Sequence, residues 1–330
     1  MSDRRIEGLR DSIIAGFKMD RFCSTAQVDP LLISGKTVLV TGTANGLGTA
    51  VSKELLSRKA DRLIMGVRSL SRGEELKTRL LSDPQIKAAN PHAKVDVLHL
   101  EMEDFKSVVA FANRGKEITL VLDVAIMNAG VGGLDWSVSI SGHEKMFQVN
   151  LLSPFLPAIK LVPLLERTAN TNGRPSRLII VGSWTQFSNS HSKVPMPIEG
   201  GVIKHFDDKS KFDGTLRYPD TQLLTTMLVK ELGTQVNKKL VVIVEPTPPW
   251  TPTNWGSNYP EGDSQDFAKK MVQEIGLPLE DAFLDDNMIA PRAPFVESPE
   301  SQSLQQALWQ ELVEEYKRVD PELGSLQILQ

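Results

Sequence analysis

Along this chain, short apolar runs rich in β-branched residues alternate with longer stretches whose apolar positions recur at helical spacing. The runs predict strands at Thr37–Val40, Arg62–Val67, Val95–Leu100, Val124–Met127, Arg177–Val181 and Leu240–Val244. The stretches between them predict helices near Gly48–Arg58, Arg72–Leu81, Phe105–Arg114, His143–Arg167 and Tyr218–Val236, with another at Leu304–Arg318. KTVLV, RLIIV and KLVVIV show no polar alternation. A strand that is apolar throughout is covered on both faces, as in a parallel sheet between helical layers. The pattern therefore predicts an α/β fold, a doubly wound parallel sheet in a single domain.

Two stretches break the rhythm. Phe187–Arg217 is rich in Ser, Lys, Pro, Gly and Asp, and Glu245–Pro299 carries many of the prolines. Both read as long binding loops of one domain, not as linkers. The N-terminal segment MSDRRIEGLRDSIIAGFKMDRF reads as an amphipathic arm, more simply packed on that domain than lying at a membrane surface. Its apolar stretch, Ile13–Phe17, is too short for a signal-peptide core.

Composition narrows the function classes. A hydrophobic fraction of 41% supports one sizeable core. A formal net charge of −4 speaks against nucleic acid, whose phosphates need clustered Lys and Arg. A single cysteine, Cys23, excludes an intramolecular disulfide. No apolar run reaches the roughly 20 residues that span a bilayer, so the expected location is cytoplasmic. His92, His99, His143, His191 and His205 show no ligand spacing, and no metal site is expected.

Candidate chemistry begins where the first strand ends. Thr41-Gly42-Thr43-Ala44-Asn45-Gly46-Leu47-Gly48 lies between a strand and a helix. Glycines there let the backbone turn tightly and approach a pyrophosphate held at the helix N-terminus. The sheet is therefore of Rossmann type, and Gly42, Thr43, Asn45, Gly46, Leu47 and Gly48 are expected to bind a dinucleotide. The second predicted strand runs into Arg68 and Ser69. An acidic residue at that point would bond a ribose 2′-hydroxyl, whereas arginine suits a 2′-phosphate, so the expected cofactor is NADP(H), with Arg72 as a helper.

The TGxxxGxG spacing resembles that of the short-chain dehydrogenase/reductase family, and further landmarks follow in order over residues 35–255. Asn128-Ala129-Gly130 resembles the family's turn after the fourth strand, and Glu101 stands where an aspartate near the adenine is usual. The resemblance implies Ser183 and Tyr218 as catalytic residues and Asn150 as a structural and proton-relay asparagine. It also implies Thr247 and Thr251 at the nicotinamide end. The long interval from Ser183 to Tyr218 and the RYPDTQLL context are similar to fungal members related to retinol dehydrogenases and protochlorophyllide reductases. Fungal secondary metabolism is the setting this implies, and a homo-oligomer is open. The expected division is an arm at 1–34, the dinucleotide-binding and catalytic part at 35–255, and a substrate-loop region with terminal helix at 256–330.

The chain departs from the family at two points. YxxxK becomes Tyr218 with Gln222 four residues on, still on one helix face. Glutamine keeps a hydrogen bond to the cofactor ribose but brings no charge to lower the phenol pKa. After the sixth strand the family's NPG turn becomes Glu245-Pro246-Thr247, and Thr247 restricts the backbone if a positive φ is needed. Glu245 reads either as a recruited acid/base or, more simply, as a solvated or salt-bridged strand end. The expected function is hydride transfer between NADP(H) and a carbonyl or alcohol of a small, largely apolar substrate. The residues leave open non-redox dehydration, isomerisation or cyclisation in the same pocket, and a non-catalytic NADP-binding protein.

Overall fold

A computed structural model describes residues 33–190, 200–248 and 292–329. Six parallel strands form one sheet in the order β3-β2-β1-β4-β5-β6. They are β1 (Thr37–Thr41), β2 (Arg62–Val67), β3 (Lys94–His99), β4 (Val124–Met127), β5 (Ser176–Ile180) and β6 (Val241–Val244). Each lies within a residue of its predicted bounds. The order reverses between β1 and β4, which opens a crevice at the carboxyl ends of the strands.

The central strands bury both faces, and their alternation divides the core. Leu39 and Ile64 face one helical layer: α4 (Phe105–Ile118), α5 (Ser153–Asn172), α7 (Gly214–Gln235) and α8 (Pro299–Val319). Val38, Val40, Leu63 and Met65 face the other: α1 (Gly46–Ser57), α2 (Leu70–Ser82) and α3 (Pro84–Ala89). A turn at Lys145–Phe147 and a π-helical turn at Gln148–Leu152 lead into α5. The helix Lys145–Asn172 is long and apolar enough to cross a membrane, but its apolar window is 94% buried inside the fold.

The stretch expected to be one long loop from Phe187 to Arg217 is more ordered than that. A 3-10 turn at Trp184–Ser188, a short helix α6 (Val202–Phe206) and a second 3-10 turn at Lys209–Lys211 occupy it. α7 then starts at Gly214, so Tyr218 lies in its second turn instead of opening it. One turn and a half of helix is unstable alone, and tertiary contacts supply what sequence periodicity does not. Glu311 of α8 accepts from Val202 N at 2.7 Å and Ile203 N at 2.8 Å, closing the open N-terminus of α6. Phe206 stacks on Phe147 at 4.5 Å, and the Arg217 guanidinium lies 4.4 Å above the Phe206 ring. α3, absent from the predicted elements, is started by Pro84 and by Asp83, which accepts from Gln85 N at 2.9 Å. The terminal helix was legible: Leu304, Leu308, Leu312 and Tyr316 of α8 recur at i+4 and are buried. The predicted arm up to residue 32, with Cys23, and His191 fall outside the described residues.

A charged cluster fastens this insertion to the core. His143 Nδ1 lies 2.8 Å from Asp207 Oδ2, and its Nε2 lies 3.6 Å from Glu315 Oε1. Burial pulls the imidazole pKa down, but the two carboxylates outweigh it and raise the pKa from 6.5 to about 9. Because the folded pKa exceeds the unfolded one, this contribution is full below about pH 6.5 and is lost as pH rises through about 9. The ceiling is roughly 3 kcal/mol. Urea unfolding should therefore show stability falling between pH 6.5 and 9.5, and the fall should be largely absent in His143→Gln. An unchanged pH dependence in that variant would remove His143 from the account.

Candidate active site

The cradle is built by close backbone approach. Gly42 has φ +74°, and a Cβ there would sit 2.9 Å from the Ala129 Cα. At Gly48 a Cβ would lie 2.2 Å from the Gly42 carbonyl oxygen and 2.9 Å from Asn128 Nδ2. No side chain fits at either position. Gly46 takes φ +51° at the first residue of α1. Asn45 precedes it in extended geometry without a side-chain cap, and the first turn holds no acidic residue. By contrast, α2, α4, α7 and α8 are capped by Ser69, Asp104, Asp213 and Ser298. The first N–H groups of α1 are thus left for an anion, with the helix dipole behind them. Thr43 Oγ1 is also buried in the cradle, with no hydrogen-bond partner among the described residues.

The turn after β4 supports this loop. Thr41 Oγ1 accepts from Asn128 N at 2.9 Å and Ala129 N at 3.0 Å, while Asn128 Nδ2 donates to Thr41 O at 3.0 Å. Asn150 holds the next residues: its Oδ1 accepts from Val131 N at 2.8 Å and its Nδ2 donates to Val131 O at 2.9 Å. Gly130 lies against it, since a Cβ there would come within 3.3 Å of Asn150 Oδ1. Asn150 sits inside the π turn, a feature frequent at functional sites.

Arg68 emerges exposed from β2, and Ser69 caps α2 by accepting from Arg72 N at 3.4 Å. A hollow of about 320 Å³ beside Asn45 is lined by Arg72 and Arg79 as well as Glu75. A larger one of about 500 Å³ adjoins it along α1 and is lined by Lys53, Arg79 and Asp83. Both lie at the β1–β2 end, away from Ser183 and Tyr218. Glu101 is turned back onto the chain, with Oε1 accepting from Glu103 N at 3.1 Å.

At the other end, Ser183 follows β5 and caps the 3-10 turn, where its Oγ accepts from Thr185 Oγ1 at 3.0 Å. α7 packs along that turn and carries Tyr218, partly exposed, and Gln222, buried. Among the described residues Gln222 Oε1 has no hydrogen-bond partner. Asp220 anchors the segment after Ser183 by accepting from Ser190 N at 2.7 Å. Its pKa is raised to about 6 by burial, against the pull of Ser190 and Arg217.

Thr247 causes no strain: among the described residues Lys59 is the non-glycine with positive φ. Thr251 lies outside the described residues. Glu245 is half-buried, and among the described residues no salt bridge holds it. Its Oε1 accepts from Thr226 Oγ1 at 2.7 Å and lies 2.5 Å from where a Cβ on Gly182 would be. Burial raises its pKa to about 7, although the Thr226 hydrogen bond and the charge of Arg292 pull the other way. The sequence signal was a carboxylate directly after an apolar strand, at the sheet's carboxyl edge.

Known proteins share this arrangement. The family model for short chain dehydrogenase matches residues 36–193, from β1 past Ser183. The short chain dehydrogenase macD of Penicillium terrestre is 31% identical over 311 residues, 88% of this chain and 94% of that one. The short chain dehydrogenase yanD of Aspergillus niger is 32% identical over 315 residues, 89% of this chain and 96% of that one. A solved structure from Mycobacterium paratuberculosis shares the fold, with a TM-score of 0.60 at 20% identity over 87% of this chain and 94% of its own. With identity of this level along nearly the whole chain, and the cradle and Ser183 inside the matched segment, this protein is an enzyme of the short-chain dehydrogenase family.

Proposed function

We propose that this chain is an NADP(H)-dependent oxidoreductase acting on a carbonyl or alcohol of a small, largely apolar molecule. The observation that carries the reading is the uncapped N-terminus of α1 over a cradle too tight for any side chain at Gly42 or Gly48. A dinucleotide fits the residues present. Its pyrophosphate takes the free N–H groups of α1, and Thr43 Oγ1 and Gln222 Oε1 are buried atoms in want of a partner. Arg68, Arg72 and Arg79 flank the β2 side, where a 2′-phosphate would add charge. The fungal relatives support a place in fungal secondary metabolism, and the expected location is cytoplasmic.

The bound dinucleotide supplies or accepts the hydride. The chain's own residues manage the proton and the oxygen. Tyr218 donates its phenolic proton to the substrate oxygen in reduction and recovers it in oxidation. Ser183 donates a hydrogen bond to that oxygen as negative charge grows on it. Gln222 accepts from a ribose hydroxyl and, being neutral, adds no charge of its own beside the phenol. Asn150 spends both side-chain atoms on Val131 and so fills the structural part of its role.

Titration calorimetry should show NADPH bound at least tenfold more tightly than NADH, about 1.4 kcal/mol. Arg68→Asp should erase most of that preference, and equal affinities in the unaltered protein would end the NADP assignment. For the proton path, Tyr218→Phe should abolish turnover while cofactor affinity stays within a few-fold. Ser183→Ala should slow the reaction by roughly 10²–10³. Full activity in both variants would show that these groups do not carry the reaction. Gln222→Lys should raise activity near neutral pH and move the alkaline limb of the rate profile to lower pH. Product formed with no matching change in NADPH absorbance would replace this reading with non-redox chemistry in the same pocket.

A further inference from the structure

One carboxyl at the carboxyl edge of the sheet has no part in the chemistry above. Glu245 follows β6 directly. The cradle and Arg68 assign the phosphates and adenosine to the β1–β2 half of the crevice, so the nicotinamide falls to the half formed by β4, β5 and β6. There Glu245 is wedged between the two elements that carry the reacting groups. On one side it lies against Gly182, whose Cβ would come within 2.5 Å of Oε1, and Gly182 precedes Ser183. On the other it accepts from Thr226 at 2.7 Å, one turn beyond Gln222, whose carbonyl that hydroxyl also approaches at 3.2 Å.

Among the described residues, the groups packed on it bring no unpaired cation. Gly182, Ser183, Gln222 and Thr226 carry no charge, and Tyr218 on α7 is neutral in its protonated form. Arg292 is the cation whose charge acts on Glu245, but its guanidinium is paired with Glu297 at 3.2 Å. Lys230 of α7 is held by that same Glu297 at 3.0 Å. Burial then poises the carboxyl at about pH 7. A nicotinamide ring is a cation when oxidised and neutral when reduced. Gln222 is neutral in either case, so a titrating carboxyl is the chain's means of telling the two forms apart.

We propose that Glu245 couples cofactor oxidation state to a proton: the carboxyl holds its proton more weakly with NADP⁺ bound than with NADPH bound. This rests on the reading that a nicotinamide dinucleotide occupies the crevice. Ionisation stabilises the cationic ring, so affinity for NADP⁺ relative to NADPH must rise with pH. The 2′-phosphate is common to both forms, and its own titration cancels in the ratio.

Dissociation constants for NADP⁺ and NADPH, measured by calorimetry from about pH 5.5 to about pH 8.5, test this. The ratio should shift toward NADP⁺ by roughly tenfold, the size of one charge pair in a partly buried site. In Glu245→Gln it should be flat. Thr226→Val removes a bond that favours the ionised form, so the midpoint should move to higher pH. Should Glu245→Gln fail to fold, the unaltered protein still decides the matter. Titrated near pH 7 in two buffers of different ionisation enthalpy, it should release more protons on binding NADP⁺ than on binding NADPH. A flat ratio in the unaltered protein, a slope that survives Glu245→Gln, or equal proton release would overturn the proposal. If neither cofactor binds at any pH, the cofactor reading fails instead.

Discussion

The site depends on one place where three stretches of backbone meet with no room for a side chain. The Gly42 carbonyl, the first turn of α1 and the Asn128–Ala129 turn converge so closely that a Cβ at residue 48 would lie 2.2 Å from an oxygen. Thr41 is the fastener: its buried hydroxyl accepts from two successive N–H groups of the β4 turn, and its carbonyl accepts from Asn128. β1 and β4 are the strands where the sheet order reverses. The junction that closes the core at that reversal therefore also aims the open end of α1 into the crevice. Packing and anion recognition are here one constraint.

The opposite end of the crevice is held from farther away. α7, which carries Tyr218 and Gln222, packs against α8. α8 in turn reaches α6 through Glu311, and Glu315 meets His143. Arg217, one residue before Tyr218, is buried between Glu144 at 3.5 Å and the rings of Phe206 and Phe212. The insertion after Ser183 is thus part of the scaffold that fixes the tyrosine, and a terminal helix distant in sequence acts on the site through it.

The strands were legible because a doubly covered sheet needs apolar runs; the run broken by Asp96 and His99 is β3, at the sheet edge. The cradle was legible because tight backbone approach demands glycine and no other residue. α6 was not. Its five residues lack a periodic face and are held by Glu311, more than a hundred residues away. The start of α7 was misplaced because Asp213 as N-cap looks like any loop aspartate until its bond to Thr215 N is seen. The character of Glu245 was beyond sequence altogether. Whether a strand-end carboxylate meets water, a cation or the underside of a glycine is decided by tertiary structure.

That last case separates structural carboxylates from the exceptional one. Asp123 receives the Lys36 ammonium at 2.6 Å, the Thr37 amide at 3.0 Å and Asn172 at 3.1 Å. Glu144 receives two N–H groups of the turn it caps and faces Arg217. Glu311 receives two N–H groups of α6. Each of these ties segments of the fold together through several donors. Among the described residues Glu245 receives a single hydroxyl. Replacing it by an amide would satisfy Thr226 equally well, since the amide oxygen can accept the same bond. Structure alone therefore gives no reason for a carboxyl there. What a carboxyl offers and an amide does not is a proton that can leave, and it lies between Gly182, next to Ser183, and Thr226, whose hydroxyl also reaches the Gln222 carbonyl.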